Sequence, residues 1–273
     1  MPRPAAAHPS PPDDGDLLPR PHPIDAADLV AGLGRGLAIV EAFDEDHWRM
    51  TIGDVAGRTA IPRTAVRRHL LSLCHFGYAD TDGKHYWLTP RVLRLGQGYL
   101  DAARLPRLVR SALQQLSAGT GETANVSVLD GAEVVYVARS PSPRLVSIGF
   151  QPGDRAPAHV VSPGRVLLSM LKDAALQAWV EQHPLAAFTP ETVTDREAFL
   201  AEVRAARRQG HWIADGQLDA GLTGLAVPLK DRRGRCVAAL GMTVQRLHWT
   251  PQRLVAELLP ALQASAQNLR QVL

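Results

Sequence analysis

Apolar residues begin to recur at helical spacing near Leu29. Leu33, Leu37, Val40, Ala42 and Phe43 predict one amphipathic helix that stops before Asp44. Two more helices follow at short intervals. Thr51 caps the first, with Asp54 three positions on in a relative of the Ser/Thr-x-x-Glu box, and its apolar side is Ile52, Val55 and Ala56. After Gly57–Ala60, Pro62 falls at a first-turn position, and Val66, Leu70 and Leu73 repeat at i, i+4 and i+7 to form a core-facing seam. At 100° per residue Thr64 and Arg68 lie almost opposite that seam, with Arg67 on its flank and Arg63 in the first turn. The pattern then changes period. Residues 77–80 and 85–88 flank Thr81-Asp82-Gly83-Lys84, whose Asp-Gly pair favours a tight hairpin. Thr89-Pro90 starts another helix carrying Val92, Leu93 and Leu95, interrupted by Gly96 and Gly98.

The second half of the chain reads differently. Ala124–Leu129, a turn at Asp130-Gly131, Glu133–Ala138 and Leu145–Phe150 are rich in Val and Ile and predict an antiparallel meander. Ser162-Pro163 opens a helix containing Val166, Leu167, Leu168, Met170 and Leu171. Thr194 with Glu197 forms a capping box for a second helix, which stops near Gly210. Leu225–Leu229 and Val237–Val244 pair across Asp231-Arg232-Arg233-Gly234, and a closing helix runs from Thr250-Pro251 to the end. The fold class is therefore α+β.

Composition narrows the classes. The chain has 273 residues, of which 45% are hydrophobic and 21% charged, the size and balance of a two-domain globular protein. No stretch approaches the roughly 18–20 apolar residues that span a bilayer, and no short apolar segment follows a basic start. A cytoplasmic protein with no membrane partner is expected. Cys74 and Cys236 fit neither a disulfide framework nor a zinc-binding spacing, so neither metal nor other cofactor is expected. Eight prolines (Pro2, Pro4, Pro9, Pro11, Pro12, Pro19, Pro21 and Pro23) mark residues 1–28 as a disordered tail. Net charge is only +3, yet arginine far outnumbers lysine, which occurs only as Lys84, Lys172 and Lys230. Position matters more than the total. Between residues 47 and 100, Arg49, Arg58, Arg63, Arg67, Arg68, Lys84, Arg91 and Arg94 face only Asp54, Asp80 and Asp82.

A short helix, a tight turn and a second helix presenting Arg63, Thr64, Arg67 and Arg68 form a helix-turn-helix arrangement, and the Asp-Gly hairpin with Lys84 at its tip adds a wing. Such a unit reads double-stranded operator DNA. The alternative is a small helical subdomain whose basic face is merely solvated.

These residues resemble a known family. Gly34-Arg35-Gly36-Leu37, Ile61–Arg68 and the run from Leu73 to Tyr78 look like an IclR-type transcriptional regulator. Tyr136–Arg139, Ser147-Ile148-Gly149, Ser162–Leu168 and Gly221–Leu229 resemble that family's effector domain, with the PcaR/PcaU/PobR branch closest. The resemblance covers about residues 29–273. It implies a winged helix-turn-helix domain at 29–88, a linker helix at 89–104 and a GAF-like effector-binding domain with an antiparallel sheet at 105–273. It also implies a homodimer or tetramer that responds to a small carboxylic acid, aromatic or dicarboxylic, and controls aromatic-acid catabolism.

The start of the helix at Ser162 offers free backbone N–H groups, the positive end of the helix dipole and a hydroxyl, a place for a carboxylate. Arg144 or His159 is a candidate cationic or donor partner. By the resemblance, Ser162, Pro163, Asp215, Gly224, Gly241 and Thr243 match the family's effector contacts, while Thr223 stands where an arginine is frequent. Glycine at 224 and 241 leaves room for a larger, aromatic acid. Plainer readings stand beside these: Ser162-Pro163 as a helix cap, Gly224 and Gly241 as bulges or close packing, and His159 and His211 as ordinary hydrogen-bonded residues. Two other functions remain open, a ligand sensor acting through protein partners and an enzyme using the second domain. No motif supports catalysis.

Overall fold

A computed structural model of the chain describes residues 24–102, 104–143 and 149–273. They gather into two compact units, and the first ends at Ala102. The proline-rich segment lies outside the described residues as far as residue 23.

The first unit contains α1 (Ala31–Glu41), β1 (Met50–Thr51), α2 (Ile52–Thr59), α3 (Arg63–His75), β2 (Ala79–Thr81) and β3 (His85–Leu88), then a 3-10 turn (Pro90–Val92) and α4 (Leu93–Ala102). Its core is Ile39, Met50, Val55, Val66, Leu70 and Tyr86. The expected capping box is complete, because the Asp54 amide donates to Thr51 Oγ1 and the Thr51 amide to Asp54 Oδ2. The turn between α2 and α3 places Ala60 in the left-handed region at φ 55°. Pro62 stands one place earlier than expected, at the N-cap of α3, where its fixed φ still suits the helix entry. Val66 and Leu70 are buried and Leu73 packs beside them, as the seam required.

Three features depart from the sequence reading here. β1 is a short strand that pairs with β3 and makes the hairpin three-stranded, in the order β1-β3-β2. α4 runs through Gly96 and Gly98 without interruption, since a glycine lowers helix propensity without breaking the hydrogen-bond ladder. On α1 the core-facing residue is Ile39, whereas Leu33 and Leu37 are exposed.

The second unit comprises α5 (Arg104–Thr120), β4 (Thr123–Asp130), β5 (Glu133–Ser140), β6 (Arg155–Pro157), α6 (Ser162–Ser169), α7 (Asp173–Gln182), α8 (Arg196–Gln209), β7 (Trp212–Asp215), β8 (Leu222–Lys230) and β9 (Cys236–Gln245). It closes with α9 (Pro251–Arg253), a π turn (Leu254–Leu258) and α10 (Leu259–Leu269). The six strands form one antiparallel sheet, ordered β6-β5-β4-β9-β8-β7. One face packs against α5 and the closing helix through Leu113, Leu116, Val126, Leu240 and Leu262. The other packs against α6, α7 and α8 through Val134, Leu167, Trp179, Phe199 and Val203.

Several boundaries move. Residues 144–148 lie outside the described residues, and with them most of the strand expected at Leu145–Phe150; Gly149 and Phe150 are not in a strand, and β6 pairs with β5 instead. α6 stops at Ser169, which leaves Met170 and Leu171 beyond it. The cap of α8 is Asp195, not Thr194: its carboxylate accepts from the Ala198 amide at 2.8 Å. Both residue types cap well and the two registers differ by one position, so spacing alone could not choose. α7 and β7 had no sequence expectation. The αL cap at Gly210, the β8–β9 hairpin and the Thr250 cap stand as expected.

Candidate functional site

On the first unit, Arg63, Thr64, Arg67 and Arg68 are all exposed along the opening turns of α3. Arg63 leans back over α2, its guanidinium beside Gly53, where an added Cβ would come within 3.5 Å of Nη2. Lys84 is exposed at the hairpin tip. Asp82 organises that tip by accepting the Lys84 and His85 amides at 2.9 and 2.7 Å. Those two bonds, with a side-chain bond from Arg49, hold the Asp82 carboxyl far below the usual carboxylate range. Among the described residues none of Arg63, Arg67, Arg68 and Lys84 forms an ion pair.

On the second unit a cavity opens between the start of α6, the sheet and the β7–β8 loop. Ser162, Pro163, Gly224 and Thr243 line it together. The register explains why: Gly224 pairs with Thr243, which pairs in turn with Thr123. The helix meets this row from above, so that a Cβ on Gly224 would lie 2.6 Å from Ser162 Oγ.

Ser162 is the first residue of α6, the N-cap is Val161, and Ser162 caps nothing with its side chain. Its hydroxyl is buried at the cavity. Pro163 has no N–H, which leaves the Ser162 and Gly164 amides as the donors of the first turn. Gly164 is required by a close approach: a Cβ there would lie 2.1 Å from the Ala158 carbonyl oxygen.

The other expected residues stand elsewhere. Gly241 faces Asn125 across the sheet, and a Cβ on it would come within 3.0 Å of Asn125 Oδ1. Asp215, at the end of β7, accepts from Thr223 Oγ1 at 2.6 Å and pairs with Arg246 at 3.0 Å. His159 is buried and donates from Nε2 to the Ala186 carbonyl at 2.9 Å, and burial holds its pKa below the ordinary value. It is not among the residues lining the cavity. Arg144 lies outside the described residues.

Sequence reasoning missed Asn125, Tyr136, Phe150 and Gln217, all of which line the cavity. The Tyr136 and Phe150 rings stack with centroids 4.4 Å apart and planes 13° from parallel. Gln217 is held by Arg165, the largest fully buried side chain. That guanidinium donates to Gln217 Oε1 at 2.9 Å and to the His159 carbonyl at 2.7 Å, pairs with Glu202 and lies 4.3 Å from the Phe199 ring centroid. Burial pulls its pKa down, but the nearby Glu202 carboxylate opposes the shift, and a guanidinium keeps its proton in proteins. The result is an aromatic-walled cavity with amide and hydroxyl donors at one end. Among the described residues no helix is long and apolar enough to cross a membrane.

Comparison with known proteins agrees with both halves of this description. The IclR helix-turn-helix domain matches residues 32–83, and the bacterial transcriptional regulator IclR C-terminal domain matches residues 97–271. The p-hydroxybenzoate hydroxylase transcriptional activator of Acinetobacter baylyi is 41% identical, over 93% of this chain and 96% of its own. A crystal structure of a transcriptional regulator from Rhodococcus sp. RHA1 is 38% identical, with a TM-score of 0.73, over 89% of this chain and 98% of that one. The inducer-binding domain of PobR from Acinetobacter, solved as a double mutant with 3-hydroxybenzoic acid, is 36% identical. Its TM-score is 0.60, and it covers 63% of this chain and all of that one. A winged helix with an exposed arginine row, an aromatic-walled cavity in a second unit and these matches across nearly the whole chain place the protein in the IclR family of bacterial transcriptional regulators.

Proposed function

We propose that α3 and the β2–β3 wing bind double-stranded operator DNA, and that a hydroxybenzoate-type acid in the second unit changes that binding. The observation that carries the reading is the pairing of Ser162 and Gly224 at the start of α6. A carboxylate placed there meets the Ser162 hydroxyl, first-turn amides and the positive end of the helix dipole, while the stacked Tyr136 and Phe150 rings supply an apolar wall for an aromatic ring. The names of the relatives support this ligand class: one activates a p-hydroxybenzoate hydroxylase gene and another was solved with 3-hydroxybenzoic acid. The genes controlled would then be those of aromatic-acid catabolism.

The working unit is a homodimer, or a tetramer built from such dimers. Leu29, Val30, Leu33 and Leu37 leave an apolar stripe along and just before α1, exposed in the isolated chain, of the kind that marks a protein contact. Helix-turn-helix dimers read half-sites about 34 Å apart. A mobility shift with the DNA upstream of the protein's own gene tests the reading. Binding that weakens steeply with salt is expected, because each neutralised phosphate adds about −0.9 to the slope of log affinity against log salt; no complex at low salt would overturn it.

A further inference from the structure

β4 is buried on both faces, yet one of them is polar. Ala124, Val126 and Val128 alternate with Thr123, Asn125 and Ser127, all three of which are fully or almost fully buried on the side facing α6. Opposite them the sheet carries Gly241 and Thr243 on β9 and Gly224 and Ala226 on β8, so this face is both polar and roomy. Its hydrogen bonding is incomplete. Asn125 Nδ2 donates to Thr243 Oγ1 at 3.3 Å, but Asn125 Oδ1 is buried without a partner, as is Ser127 Oγ two residues along. A buried carbonyl oxygen left unmatched is costly, and an apolar side chain here would avoid that cost.

We infer that Asn125 forms a second polar subsite in the cavity and reads a hydroxyl group on the ring of the effector. This rests on the aromatic-acid reading above and narrows it. Hydroxyl is the group that fits because the amide could face either way. Turned over, Asn125 would accept from the Thr243 hydroxyl and leave Nδ2 unmatched; a hydroxyl both donates and accepts and satisfies either arrangement. A second carboxylate only accepts, so it matches only the turned-over amide, and Arg165 is already engaged with Glu202, Gln217 and the His159 carbonyl. An unsubstituted ring supplies no partner at all. The absent side chain of Gly241 is what lets the amide oxygen sit where it does, since a Cβ would crowd it at 3.0 Å. The carboxylate then lies at Ser162, the ring against Tyr136 and Phe150, and the hydroxyl at Asn125.

Calorimetric titration of the full chain with 4-hydroxybenzoate, 3-hydroxybenzoate, their fluoro counterparts and benzoate tests this. At least one hydroxybenzoate is expected to bind tenfold or more tighter than both benzoate and the matching fluorobenzoate, which has similar size but cannot donate. In Asn125→Leu that advantage shrinks to less than about threefold while benzoate binds at least as well as before. If this variant does not fold, the hydroxy-to-fluoro ratio in the native chain still decides. Equal binding of the hydroxy and fluoro ligands, or a full advantage retained in the leucine variant, would overturn the assignment. Failure of every aromatic acid to bind the native chain would instead overturn the effector reading on which it rests.

Discussion

Gly164 within α6 and Gly224 packed against its start differ in what a methyl group would meet. At Gly164 an added Cβ runs into the Ala158 backbone, at 2.1 Å from its oxygen and 2.5 Å from its Cα. Backbone cannot rotate aside, so the helix must shift. Gly164→Ala is expected to cost at least about 2 kcal/mol and to lower the melting temperature by roughly 4–8 °C. At Gly224 the obstacle is only the Ser162 hydroxyl, which can turn to another rotamer. Gly224→Ala should therefore melt within a degree or two of the native chain and yet bind carboxylate ligands at least tenfold more weakly, as titration would show. Equal effects on stability in the two variants would contradict this contrast.

His159 carries a prediction in pH. Burial lowers the pKa of its imidazole in the folded chain, whereas the unfolded chain takes up that proton near pH 6.5. The stability it contributes is fully present above about pH 6.5 and is lost as pH falls through the lower folded-state pKa. Thermal melts at pH 7.5 and 5.5 should show a smaller loss in His159→Gln, which keeps a side-chain donor for Ala186, than in the native chain. An unchanged loss would show that the proton goes elsewhere. At this scale the sequence was only partly legible. Ser162 could be named from the helix start and Gly224 through the family resemblance, whereas Tyr136 and Phe150 look in a sequence like ordinary core aromatics, and only the folded chain brings them together.

Among the elements, α3 and the wing were the most legible, because periodicity, capping and an Asp-Gly turn all pointed the same way. Arg67 and Arg68 are exposed on α3, so replacing either with alanine should leave the melting temperature unchanged. Each replacement is expected to weaken operator binding by about 1–3 kcal/mol for a lost base contact, or to lower the salt slope by about 1 for a lost phosphate contact. Anisotropy at several salt concentrations distinguishes the two; unchanged affinity in both variants would remove α3 from the interface. β4 carried a signal that went unread. Its strict alternation of apolar and polar residues suggests a strand with one wet face, but here both faces are buried and Asn125 of the polar one lines the cavity. Alternation reports which residues share a face; what covers that face is set by α6, far along the chain. The moved boundaries have a similar cause. Thr194 and Asp195 are both good caps, and the choice between them is made by where α8 packs.

Across the whole molecule, the arginine excess in the sequence has at least two uses. α3 bears arginines with no ion partner among the described residues, whereas in the second unit arginines are tied into the structure, Arg155 to Asp130 and Glu133, Arg207 to Asp173 and Arg246 to Asp215 and Glu191. A net charge of +3 thus hides an uneven spread: residues 47–100 carry eight basic against three acidic residues, residues 21–102 as a whole nine against ten, and residues 103–273 nineteen against fourteen. The central claim is that the two units are energetically coupled. A ligand changes DNA affinity only as far as it favours one conformation of the protein over the other, and by linkage DNA must change ligand affinity by the same factor. The most direct test is operator affinity of the full chain by anisotropy at fixed salt, with and without saturating 4-hydroxybenzoate, alongside 4-hydroxybenzoate affinity with and without operator. A shift of about 5- to 150-fold, of equal size in both directions, is expected. Tight binding of both ligands with no mutual effect would contradict it.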